Sequence, residues 1–144
     1  MKKGGFFMKR ILLSTPVTPY PIQPWHDTPT DIVRQRFMKG QGIFTSEGHM
    51  HLVGSFIIAQ NMSAPCVVLD HPTMENWIEE VKKGYDYVGI SALTPNLESV
   101  MEMCRMVRKH SPKSEVILGS FVAQSVGAYY PEEEWKKLVD HIVL

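Results

Sequence analysis

The residues that could do chemistry in this sequence gather in a few places. His26, His49, His51 and His71 are spread over its first half, and Cys66 and Cys104 stand far apart with no CxxC pattern. The four imidazoles could form a zinc site if they converged, but their spacing does not demand it. The cysteines read as buried, reduced thiols of a cytoplasmic protein. A small hydrolase or transferase could use His26, His49 or His51, yet no nucleophile and base stand at a recognisable spacing. No GxxxxGK[ST] or GxGxxG loop is present to cradle phosphate. The distinctive feature is a junction, "DYVGISALTPNLESVMEM" from Asp86 to Met103. It starts as an apolar run, passes through Ser91-Ala92-Leu93-Thr94-Pro95 and continues at helical spacing. Such a turn can receive a bulky neutral or modestly polar group against small side chains and main chain.

The elements that must position this turn follow from hydrophobic patterning. Arg10–Ser14 (RILLS), Cys66–Asp70 (CVVLD), Asp86–Ser91 (DYVGIS) and Glu115–Gly119 (EVILG) are short runs rich in Val, Ile or Leu, and His141–Leu144 (HIVL) is a fifth. Their length and continuity predict strands of a parallel sheet covered on both faces. Thr73 is placed to cap a helix through "MENWIEEVKKG", with Gly84 as its stop. Asn96 or Thr94 is placed to cap "LESVMEMCRMVRKH", in which Leu97, Val100, Met101, Cys104 and Val107 share one face. "HLVGSFIIAQNM" is apolar nearly all round and predicts a buried helix. Alternating strands and helices predict an α/β fold with right-handed crossovers, a doubly wound parallel sheet of about five strands in a three-layer sandwich.

Composition sets the outer bounds. The chain has 144 residues, 15 Lys+Arg against 15 Asp+Glu, and 44% hydrophobic residues. That suits one packed domain and leaves no basic footprint for nucleic acid. No run approaches the ~18 apolar residues of a membrane span. Residues 1–8 read as a ragged terminus rather than a signal peptide, because Lys9 and Arg10 interrupt the apolar run. The domain then spans 9–144. Within it, 15–50 forms a long proline-rich insertion ("TPVTPYPIQPWHDTP") with a possible short helix at Asp31–Met38, followed by "QGIFT". A connection of this length is often a binding or partner-facing segment; a surface excursion packed on its own domain is the other reading.

In an open parallel sheet, ligands bind beyond the carboxyl ends of the strands, near the point where strand order reverses. The residues there are Ser14, Thr15 and Pro16 after the first strand, and Asp70 and His71 after the second. Ser91 to Asn96 follow the third, and Gly119, Ser120 and Phe121 the fourth. The first strand supplies no acidic cluster, which argues against response-regulator chemistry.

"VGISALTPNLESVMEM" resembles the Ser-x-Leu segment of cobalamin-binding domains, in which strand, S-x-L, Thr-Pro and helix follow in that order. The resemblance implies a flavodoxin-like (Rossmann-like) fold. The cofactor's nucleotide tail would lie beside the sheet and its corrin ring over the carboxyl edge. Ser91 would hydrogen-bond the base of the tail, Leu93 would shape the slot, and Thr94 and Thr15 would be further contacts. A flat base needs small neighbours, and a hydroxyl satisfies its buried nitrogen. The family's Gly-Gly mark falls on "ILGSF", where Gly119 matches and Ser120 replaces the second glycine. Its Asp-x-His-x-x-Gly mark falls on His49-Met50-His51-Leu52-Val53-Gly54, matching at His51 and Gly54 but with His49 at the aspartate position. The resemblance implies His51 as a lower cobalt ligand, although the carboxylate that would orient it is missing. Helix capping or packing is the other reading of His51.

From Met8 to Leu144 the chain is more specifically similar to the amino-terminal cobalamin-binding domain of B12-dependent radical SAM proteins, through "GYDYVGISALTPN" and "PKSEVILGS". That implies methylcobalamin or a related corrinoid as cofactor and a radical SAM catalytic domain or subunit as partner. Two cysteines cannot hold a 4Fe–4S cluster, so radical chemistry would belong to that partner. "DHIVL" stops where a further turn is expected, consistent with truncation at the carboxyl end. The rival expectation is a flavodoxin-like regulatory or interaction domain without cofactor, favoured by Ser120 and His49.

Overall fold

A computed structural model describes residues 8–17 and 53–144. Strands β1 (Ile11–Ser14), β2 (Cys66–Leu69), β3 (Tyr87–Ser91), β4 (Glu115–Gly119) and β5 (His141–Val143) each lie within a residue or so of an apolar run. They form one five-stranded sheet in the order β2-β1-β3-β4-β5, with every neighbouring pair parallel. This is the flavodoxin-like, doubly wound order, and it reverses between β1 and β3. Helices α1 (Val53–Asn61), α2 (Met74–Val81), α3 (Leu97–His110), α4 (Phe121–Tyr129) and α5 (Glu132–Trp135) connect the strands. The path from β1 to β2 runs in the opposite direction along the sheet from the paths that follow. Right-handed crossovers therefore put α1 on one face and α2, α3 and α4 on the other.

Side-chain alternation separates the two faces. Leu12, Val88, Ile90, Val116 and Leu118 point to the α2–α4 side and are fully or almost fully buried. They pack with Trp77, Val100, Met103, Val107 and Val122 in one hydrophobic core. The Trp77 indole N–H donates to the carbonyl of Met103 at 3.3 Å, which satisfies the one polar group that this large side chain brings inside. Cys104 sits in the same core, and burial pushes its thiol up to about 12. Leu13, Tyr87, Ile117 and Ser91 point the other way and are only half-buried.

The expectation of a buried α1 is corrected here. Only Ser55 of this helix is buried, while Val53, Ile57 and Ile58 are 58%, 55% and 52% exposed. The helix lies at the β1–β2 margin of the sheet and presents a small side chain inward. An apolar composition all round gives it no polar side, so the sequence records how much apolar surface it carries and not what covers it.

The Thr73 cap is observed, with its hydroxyl accepting from Asn76 N at 3.1 Å, and Gly84 ends the segment after α2 at φ +73°. Neither Thr94 nor Asn96 caps α3 through its side chain. A 3-10 turn at Thr94–Asn96 leads into α3 instead. Helices α4 and α5, in the sequence after β4, are not among the elements that the patterning predicts. Among the described residues no helix is long and apolar enough to cross a membrane.

At the amino edge the strands are tied by polar groups. Asp86 accepts from Arg10 N at 2.8 Å and from Lys9 Nζ at 2.9 Å, and the Ser114 hydroxyl donates to the Tyr85 carbonyl at 2.6 Å. Asp140 accepts from Val116 N at 2.7 Å and Arg108 Nη2 at 2.6 Å, fixing β5 against β4. The carboxyl edge is thereby left to be shaped by its turns.

Candidate functional site

The half-buried face of the sheet has two tiers near its carboxyl end. In the outer tier Ser91 of β3 is paired with Gly119 of β4. Among the described residues a Cβ placed on Gly119 would meet no atom within 4 Å, and Ser91 is only half-buried, so among them this tier is open and lined by small groups. One strand repeat deeper, about 6.6 Å along the chain, Gly89 is flanked by Leu13 and Ile117. A Cβ on Gly89 would lie 2.6 Å from Leu13 Cδ2, so the leucine already occupies the space that the glycine leaves. This face of the sheet is thus open at the Ser91–Gly119 tier and filled at the tier below.

The walls of the mouth are joined through the main chain. The carbonyl of Ala92, directly after β3, accepts from Val122 N in the first turn of α4 at 3.0 Å. Thr94 Oγ1 and Ser125 Oγ share a hydrogen bond of 2.7 Å, a second tie between the same two segments. Leu93 is extended, at φ −88° and ψ 157°, and its carbonyl accepts from Asn96 N at 2.9 Å. Thr94 therefore acts on α4, while Leu93 shapes the turn.

Ser120 holds φ 68° and ψ −161° and caps nothing with its side chain. That region is almost exclusive to glycine and costs a residue with a Cβ roughly 1–3 kcal/mol. The serine thus holds a conformation that glycine would adopt without strain. His71, after β2, also holds a positive φ, of 49°. Both strained residues sit at the carboxyl edge, where strain accompanies ligand sites more often than elsewhere.

Thr15 is fully buried. Its hydroxyl accepts from His71 N at 2.5 Å and donates to Asp70 Oδ1 at 3.4 Å, while His71 Nε2 lies 3.7 Å from the same carboxylate oxygen. The hydroxyl pins the turn after β2 to the end of β1. Gly54 is exposed in the first turn of α1, with no atom of the described residues within 4 Å of an added Cβ. The structure thus brings Ser91, Leu93, Thr94, Gly119 and Ser120 to one edge, on the turns after β3 and β4. Thr15 closes the end of the neighbouring strand. His26, His49, His51, the Asp31–Met38 helix and "QGIFT" lie outside the described residues. Among the described residues no group of three or more His, Cys, Asp or Glu is placed to hold a metal ion.

Sequence reading missed Leu13, Ile117 and Ser125. Leu13 and Gly89 are 76 positions apart, and only the strand register makes them neighbours. Ser125 needed α4 to be recognised first. At the outer tier a hydroxyl stands at Ser91 beside open space over Gly119, the features that a flat base would need, while Leu13 fills the tier below. Comparison with protein-family models, curated proteins and solved structures found no match to this chain.

Proposed function

We propose that this chain is a cobalamin-binding module. The observation that carries the reading is the open tier at Ser91 and Gly119, on the carboxyl edge beside the β1/β3 reversal. Ser91 offers its hydroxyl to the base of the tail, and Gly119 and Ser120 admit the nucleotide loop along bare main chain. The bound corrinoid would supply methyl transfer or a radical rearrangement, with a radical SAM domain or subunit as partner. The protein's part is to orient the cofactor and keep water from one side of it.

The test is retention. Purified protein is mixed with hydroxocobalamin and desalted, and a corrinoid spectrum that stays with the protein is the expected result. Ser91→Tyr fills the outer tier and should abolish retention without loss of circular dichroism or cooperative melting. Normal retention by that variant overturns the slot assignment. A second reading, a cofactor-free interaction domain, is favoured by the exposed Val53, Ile57 and Ile58 on α1. Colourless protein after desalting decides for it.

A further inference from the structure

The two tiers of the slot differ in a way that bears on which ligand it selects. At the outer tier the β3–β4 pair is Ser91 with Gly119; at the inner tier it is Gly89 with Ile117. A glycine at 89 would by itself extend the slot inward by one repeat, because it presents no side chain to this face. That extension is cancelled from the next strand. Leu13 of β1 is in register with Gly89 and leans across it, bringing Cδ2 to 2.6 Å from where a Cβ would stand. Ile117 closes the opposite side from β4. Leu13 is half-buried and lies on the face of the sheet away from the dense core.

We infer that Leu13, with Ile117 beside it, is the depth stop of the slot, so that the chain selects corrinoids whose lower base is short or absent over those with a bulky one. This rests on the corrinoid reading above and adds a specificity-determining residue to it. The argument is steric. Burying a fused aromatic base is favourable in proportion to its apolar area, but only where space exists. A base that meets Leu13 must displace it or stay outside in water. In the first case it forfeits the leucine's packing on Gly89, and in the second the gain from burial.

The experiment compares aquocobalamin, which carries a dimethylbenzimidazole nucleotide, with diaquocobinamide, which lacks it, on wild type and Leu13→Ala. Binding is followed by quenching of tryptophan fluorescence. Wild type should bind diaquocobinamide about tenfold more tightly than aquocobalamin, and equal binding would overturn the depth stop. Leu13→Ala should tighten aquocobalamin about tenfold, the effect of burying one or two more methylene-sized areas, and leave diaquocobinamide unchanged. Leu13→Val, which keeps more packing, should move in the same direction by a smaller factor. If Leu13→Ala shifts both corrinoids equally, or neither, the depth stop is wrong while the corrinoid reading stands. If neither corrinoid binds wild type or variant, both readings fall together.

Discussion

The two faces of the sheet are made from alternate residues of the same strands, yet they meet different surroundings. On one, Leu12, Val88, Ile90, Val116 and Leu118 are sealed beneath α2, α3 and α4 around Trp77. On the other, Leu13, Ile117 and Ser91 remain half-buried, and α1 spans only the β1–β2 margin while presenting Ile57 and Ile58 to solvent. The first face carries the stability of the described structure. The second carries its openings, and the open tier belongs to it. A ligand slot would need space that the core cannot supply, and the contrast between the faces follows the pleat, residue by residue.

Truncation at depth tests that contrast most strongly. Trp77→Ala should cost about 3–5 kcal/mol in urea unfolding, whereas Ile57→Ala on α1 should stay within about 0.5 kcal/mol. An Ile57→Ala variant as damaged as Trp77→Ala would mean that the second face is sealed in solution and that the contrast fails. Next in size is Gly89→Ala, whose new methyl must push aside Leu13 Cδ2, the free end of a half-buried side chain, at a cost of about 1 kcal/mol. In a Leu13→Ala background the same change should be close to neutral. A double-mutant cycle with no coupling would show that Leu13 does not rest on Gly89.

Ser120→Gly should relieve the strained turn and stabilise the fold by about 1 kcal/mol, read as a rise of a few degrees in Tm. A fall would show that the serine side chain has a structural role that the strain conceals. The smallest effect belongs to Asp86, at the amino edge common to both faces. The Arg10 N–H and then the Lys9 ammonium hold its carboxyl below the ordinary aspartate value. A folded-state value depressed in this way gives stability that is complete above the unfolded pKa of about 3.9. It is lost as pH falls through the lower folded value. Asp86→Asn should therefore flatten the acid limb of the stability–pH curve, and an unchanged limb would show the tie to be too solvated to matter.

The sheet was legible in the sequence because each strand is a short apolar run bounded by polar or small residues, so "CVVLD" and "EVILG" needed no tertiary information. Thr73 announced its helix through local capping chemistry. The α4 helix was not legible, since "FVAQSVGAYY" follows the strained Ser120 and carries a glycine at 127. The exposure of α1 was hidden for a different reason: burial is a relation between segments, and composition reports one partner only. Of the site, the Ser91–Thr94 turn and Gly119 could be named from their types. The filling of the inner tier by Leu13 could not, because register decides it.

The hydrogen bond from Val122 N to the Ala92 carbonyl has a consequence for how such an opening can change over time. It ties the two turns through backbone atoms, beside the Thr94–Ser125 side-chain tie, so this hold on the span does not depend on the side chains at 91, 93 or 120. Substitution at positions 91, 93 or 120 can retune what is admitted while the jaw keeps its span, and the same frame can be refitted to new cargo without being rebuilt.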